Sequence, residues 1–151
     1  MRCAHKSHGF TLIELVIAVV ILGILSGVAV PIVRVQIRRT KERDLRRDLW
    51  EMRDAIDRYK DAADKGAFRT KAGSENYPPD LQTLVDGVDV GAKKLRFLRR
   101  IPTDPMTGNT DWGLRSVQDD PTAETWGGQD VFDVYSKSNA TALNGTQYKD
   151  W

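Results

Sequence analysis

The chain has 151 residues, 40% apolar and 29% charged, with a formal net charge of +2. That length holds one domain of ordinary size and excludes a large multidomain enzyme, and the near balance of charge excludes a general nucleic-acid surface. The average hides a split: residues 10–33 carry one charge, Glu14, and the other 127 residues carry the remaining 43, which excludes an ordinary cytosolic protein unless the apolar run is removed or buried by a partner.

The first nine residues hold Arg2 and Lys6, both histidines (His5 and His8) and the one cysteine, Cys3. No intramolecular disulfide is possible. Without this stretch the chain has 21 basic and 21 acidic residues. Residues 10–33 follow as FTLIELVIAVVILGILSGVAVPIV. At about 1.5 Å per residue they reach about 36 Å as a helix, enough for a hydrocarbon core of about 30 Å. A membrane span is expected. A cleaved secretory signal is not, because its small residues follow the apolar run, whereas Gly9 precedes this one.

Glu14 is the exception within the run. A carboxylate at the centre of a span costs about 2.5–3.5 kcal/mol, so Glu14 either sits at the interface or meets a cation. If the chain is cut after Gly9, Phe10 gains a new amino group, and Glu14 lies one helical turn away. The carboxylate can then neutralise that amine in its own chain or in a neighbour's, and the second arrangement would set the register between packed subunits. Gly23, Gly27 and Pro31 recur every four residues, a spacing that lets helices approach closely in membranes. Pro31 is expected to kink the helix.

No helix breaker follows until Gly66. Leu45, Leu49, Met52, Ile56, Tyr59 and Ala63 recur at spacings of three and four and form one helix face. One helix over residues 10–65 is predicted, apolar over 10–33 and amphipathic over 34–65, its stripe buried against a small domain at 66–151. Charge along the amphipathic half is ordered. Arg34, Arg38, Arg39, Lys41, Arg43, Arg46 and Arg47 come first; Asp48, Glu51, Asp54, Asp57, Asp61 and Asp64 follow. Some of these pair within the helix, as Asp54 with Arg58. The segregation also favours parallel helices staggered along a common axis. A basic zone beside a bilayer can instead bind anionic headgroups.

Residues 66–77 read as a polar loop. Pro78-Pro79 introduces a short helix at Asp80–Val85, Gly87 and Gly91 punctuate the next stretch, and Lys94–Arg100 reads as a further helical turn closed by Ile101-Pro102-Thr103-Asp104-Pro105. Trp112–Val117 and Val131–Tyr135 read as strands, joined by a loop over 118–129. The terminal Trp151 is expected to be packed, given the apolar area it can bury.

The catalytic inventory is thin. Once the first nine residues are removed there is neither histidine nor cysteine, hence no Ser-His or Cys-His arrangement. There is no phosphate-binding glycine loop. The adjacent acids Asp119 and Asp120 sit in a loop where solvation suffices. The expectation is a substrate of enzymes, not an enzyme.

Gly9-Phe10-Thr11-Leu12-Ile13-Glu14-Leu15 resembles the prepilin cleavage and methylation motif shared by type IV pilins and type II secretion pseudopilins, and the likeness continues to Pro31. The resemblance implies an α+β, type IV pilin-like fold: a long N-terminal helix packed on a small head with a short antiparallel sheet. It implies a leader (residues 1–9) cut between Gly9 and Phe10 by a prepilin peptidase, which then methylates the amino group of Phe10. It implies that Glu14 serves subunit addition to a helical homo-oligomeric filament, alongside minor pseudopilins and an inner-membrane assembly platform. The chain would wait in the bacterial inner membrane, single-pass, with its head in the periplasm. One rule points the other way. Seven basic residues at 34–47, against two in the leader, would place the C-terminal part in the cytoplasm; the processing motif is the more specific signal.

The order of elements after the helix also resembles the major pseudopilins of type II secretion: Tyr77-Pro78, Ile101-Pro102, Asp104-Pro105, Asp130 to Ser136 and a terminal Trp. A type IV pilin or minor pilin remains the alternative, and a single-pass protein binding anionic lipid or a partner the distant one. Two departures stand out. Met106-Thr107-Gly108 follows Asp104-Pro105 where the family usually has Trp-Gly. The family's C-terminal loop commonly binds calcium through clustered acids, whereas residues 144–150 here hold one, Asp150. Calcium takes six to eight oxygens; the resemblance leaves Asp130, Asp133, Asn139, Asn144 and Asp150 as its candidates, and no other cofactor is implied.

Overall fold

The structure, a computed structural model, describes residues 10–120, 123 and 125–151, without the side chains of residues 27–31. The leader, with Gly9, lies outside the described residues, and of Pro31 only the backbone is described. Helix α1 spans Leu12–Asp64, within the 10–65 range expected. The chain divides into two compact units, one ending at Arg38 and one running from Arg39 to Trp151. The second half of α1 is thus a core element of the head, not a stalk beneath it.

In the head unit every member of the predicted stripe, Leu45 to Ala63, is buried. It packs against Leu81, Leu84, Phe97, Trp112, Val131 and Tyr148. Each such side chain contributes roughly 1.5–3 kcal/mol by leaving water. Tyr59, Phe68 and Phe97 form an aromatic cluster with centroids 5.0–6.4 Å apart. Trp151 packs half-buried against the same core.

Helix α2 spans Leu81–Asp86. It begins at an aspartate, not at the prolines: Asp80 Oδ1 accepts from the Thr83 amide at 2.6 Å and from its hydroxyl at 2.8 Å. This satisfies a donor that the first turn leaves open. Pro78 and Pro79 precede the cap and stiffen the approach.

The region expected to form a helical turn at Lys94–Arg100 is different. Strands β1 (Val88–Val90) and β2 (Lys93–Leu95) form an antiparallel hairpin with Val90 opposite Lys93. Its two-residue loop is Gly91-Ala92, with Gly91 at φ +61°. Glycine at the first loop position fits the turn that matches strand twist, and this local chemistry outweighs the weak helical spacing downstream. Strands β3 (Gly113–Arg115) and β4 (Asp133–Tyr135) also pair antiparallel, inside the two runs predicted. The fold is α+β and type IV pilin-like, with two short two-stranded ladders where a single sheet was expected.

Candidate processing and assembly site

At the start of α1 the Thr11 carbonyl accepts the Leu15 amide at 3.2 Å, and its hydroxyl accepts the Glu14 amide at 3.3 Å. Thr11 is therefore the helix cap. With Glu14 three residues on, Thr11-Leu12-Ile13-Glu14 has the sequence of a capping box. Glu14 lies in the first turn, where the helix dipole favours a negative charge. Phe10 is 80% exposed just outside the helix. A cut before Phe10 would thus leave a short, accessible end leading directly into a capped helix.

From Leu12 to Leu25 the large apolar side chains are exposed, and so are Ile32, Val33, Val35 and Ile37. A helix apolar on all sides is a buried helix in its working environment, and an apolar surface this extensive marks an interaction site. Among the described residues no helix is long and apolar enough to cross a membrane.

In the head unit Asp130, Asp133 and Asn144 are already hydrogen-bonded within the protein, while Asn144 and Asp150 line one cavity. Asp133 accepts from Arg53 Nε at 2.6 Å and lies 3.9 Å from Arg115. Asn144 Oδ1 accepts the Thr146 amide and hydroxyl. Asn139 shares a cavity with Lys137 and Lys149. Asp150 lines another with Arg46 and Arg53. Asp130 is fully buried; its Oδ1 accepts the Val117 amide at 3.1 Å, and burial pushes its carboxyl above the usual range. Among the described residues no three acidic, histidine or cysteine side chains gather into a group able to hold a metal ion. Calcium takes six to eight oxygens, more than the side chains of Asn144 and Asp150, which share one cavity, supply by themselves.

Asp119, half of the adjacent acid pair, closes its loop. Its Oδ2 accepts the amides of Ser116 at 2.8 Å and Gly127 at 3.1 Å, and these bonds hold its carboxyl below the usual range.

Three residues matter more than the sequence indicated. Arg53 donates to Asp133, to the Val134 carbonyl and to the main-chain oxygen of Trp151. Asp104 is fully buried, accepting the Met106 amide at 2.7 Å and the Ser136 hydroxyl at 2.6 Å. Glu42, inside the basic zone, is also buried. The only signal for Glu42 was its periodicity: it lies three residues before Leu45 on the buried stripe. Arg53 stands one position from that stripe, beside Met52.

Comparison with known proteins bears on the N-terminus and on most of the chain. Residues 4–30 match the family described as the prokaryotic N-terminal methylation motif. Type II secretion system core protein G of Escherichia coli (strain K12) is 26% identical over 113 residues, covering 70% of this chain and 70% of that protein. No solved structure matches.

Proposed function

We infer that this chain is a pseudopilin, a structural subunit of a type II secretion system that polymerises into a periplasmic filament. The observation that carries this reading is the coincidence of two features at one place. The methylation motif covers residues 4–30, and within it α1 opens at a capped Thr11 and exposes apolar side chains on all its faces. The match to core protein G, extending over 70% of the chain, supports a secretion pseudopilus over a surface pilus.

In this reading a prepilin peptidase cuts between Gly9 and Phe10 and methylates the new amino group. The subunit is held by residues 10–33 in the inner membrane, its head in the periplasm. Glu14 then neutralises the amino group of a neighbouring Phe10 as the subunit joins the filament. Minor pseudopilins and the inner-membrane platform are its partners. The chain catalyses nothing itself; its buried carboxylates serve packing and loop closure. Growth of the filament helps export folded proteins across the outer membrane. The basic zone opposes this topology by charge count, and the processing motif, the more specific signal, outweighs it.

The test is the intact mass and N-terminal fragment spectrum of the protein from its native membranes. A chain beginning at methylated Phe10 is expected. A chain that keeps residues 1–9 in cells with an active processing enzyme overturns the reading.

A further inference from the structure

We propose that the C-terminal segment of the head, residues 139–151, is locked to α1 by a side-chain clasp built on Glu42, Arg46 and Arg53, and that this clasp closes the segment without a metal ion. Only the expectation of calcium rests on the pseudopilin reading; the contacts stand whether or not residues 1–9 are removed.

Glu42 is the centre of the clasp. It is 6% exposed, and its Oε1 accepts the Leu143 amide at 2.8 Å and the Tyr148 hydroxyl at 3.0 Å. A buried carboxylate is tolerated only when hydrogen bonds replace its water. Here both donors come from the segment, about a hundred residues away in sequence. Charge-assisted bonds of this kind are stronger than neutral ones, so the segment gains two firm anchors on one helix position.

One and three turns further along the same helix, the end of the segment is gripped. Arg53 Nη2 donates to the main-chain oxygen of Trp151 at 2.9 Å, while its Nε binds Asp133 of β4 at 2.6 Å. Arg46 stacks over the Trp151 ring, and Tyr148 meets that ring edge-on at 5.1 Å. Trp151 Nε1 donates to the Thr146 hydroxyl at 2.6 Å.

The segment also closes on itself. The Ala142 amide bonds the Thr146 carbonyl at 2.7 Å, the Gly145 amide bonds the Ala142 carbonyl at 3.0 Å, and Thr141 pairs with Gln147. Asn144 Oδ1 already accepts two donors from Thr146. Arg46 and Arg53 line the neighbouring cavity with one acid, Asp150, and Lys137 and Lys149 line another that holds no acid. A divalent cation would enter against this charge and would have to displace bonds already made. Glu42 gathers donors of the segment and Arg53 holds its terminal oxygen, so the helix ties the segment down where a shared ion would otherwise do so.

The experiment uses the full chain in detergent, followed by thermal unfolding and by trypsin cleavage within residues 137–151. Saturating calcium and excess chelator are expected to give the same Tm and the same cleavage rate. Glu42→Ala is expected to speed cleavage of the segment about tenfold, as loss of bonds to a charged acceptor implies for local opening. Tyr148→Phe, which removes one donor and keeps the ring, is expected to speed it less. A saturable rise in Tm with calcium, the mass-action signature of an ion that binds only the folded state, overturns the proposal. Cleavage unchanged in both variants overturns it too. The calcium comparison needs no variant, so it decides the matter even if Glu42→Ala fails to fold.

Discussion

Asp130 shows how one residue can be satisfied by geometry and still carry a cost. One carboxylate oxygen accepts the Val117 amide; the other is buried, and among the described residues no donor reaches it. Burial raises the pKa, the Val117 bond opposes the rise, and Glu75 and Asp119 add to it. The folded state therefore holds this proton more tightly than the unfolded chain. Its stabilising contribution is complete below the ordinary carboxylate pKa and is lost as pH rises through the folded value. Above its folded pKa the native protein bears a buried, half-partnered charge. Asp130→Asn keeps an acceptor for Val117 and removes the charge. Its stability at pH 7 is expected to equal or exceed that of the native chain, by on the order of 1 kcal/mol, with the advantage vanishing towards pH 4. Thermal melts at the two pH values check this. A variant equally destabilised at both would mean that the acceptor's shape, and not its charge, matters.

Elements differ in how openly the sequence announces them. Helix α1 was legible because two strong signals agree: an apolar run with a single charge, Glu14, and a stripe from Leu45 to Ala63 at helical spacing, the stripe all buried. Strands β3 and β4 lay inside runs of β-favouring residues bounded by turn formers. The β1–β2 hairpin was not legible, since Val88-Asp89-Val90 and Lys93-Lys94-Leu95 are three residues each and their pairing rests on a Gly91-Ala92 turn of little distinctive composition. The contacts of Glu42 and Arg53 were hidden for another reason. Their partners lie 80 to 106 positions away, and side-chain spacing carries no record of such distances. Helix α2 lies between these cases: the prolines marked its place, but its start is set by Asp80. Asp80→Ala removes the acceptor for both Thr83 groups, and a loss of about 1 kcal/mol is expected from the cap alone. Because Leu81 and Leu84 of α2 are buried, denaturant titration of the whole head reports that loss. Asp80→Asn, which keeps an acceptor, should recover most of it.

At the scale of the whole molecule, what matters is how one copy meets the next. The structure narrows the idea that segregated charge staggers neighbouring helices. Asp54, Asp61 and Asp64 pair with Arg58, Lys65 and Lys60 one turn away, and Asp48 pairs with Arg47. Among the described residues no ion pair reaches exposed Glu51 or Asp57, nor exposed Arg39 or Arg43. With Arg34 and Lys41, likewise exposed and in no ion pair among the described residues, these are the helix charges left for a neighbour. Arg43 and Asp57 are 14 positions apart, so their meeting across parallel helices requires an axial offset on the order of 20 Å at about 1.5 Å per residue. An exposed pair is worth only about 0.2–1 kcal/mol, too little to build a filament, but it recurs at every subunit and its reversal replaces attraction with repulsion. Under the pseudopilin reading, Asp57→Arg and Arg43→Glu are each expected to reduce filament yield, and the double variant to restore it. Raising the salt should shrink all three differences, since exposed charges are screened within about 10 Å at 0.1 M. Filament yield from cells overproducing the subunit, counted by electron microscopy, is the measurement. A double variant no better than either single one would leave apolar burial of residues 10–33 and the Glu14 contact as the forces that set the stagger.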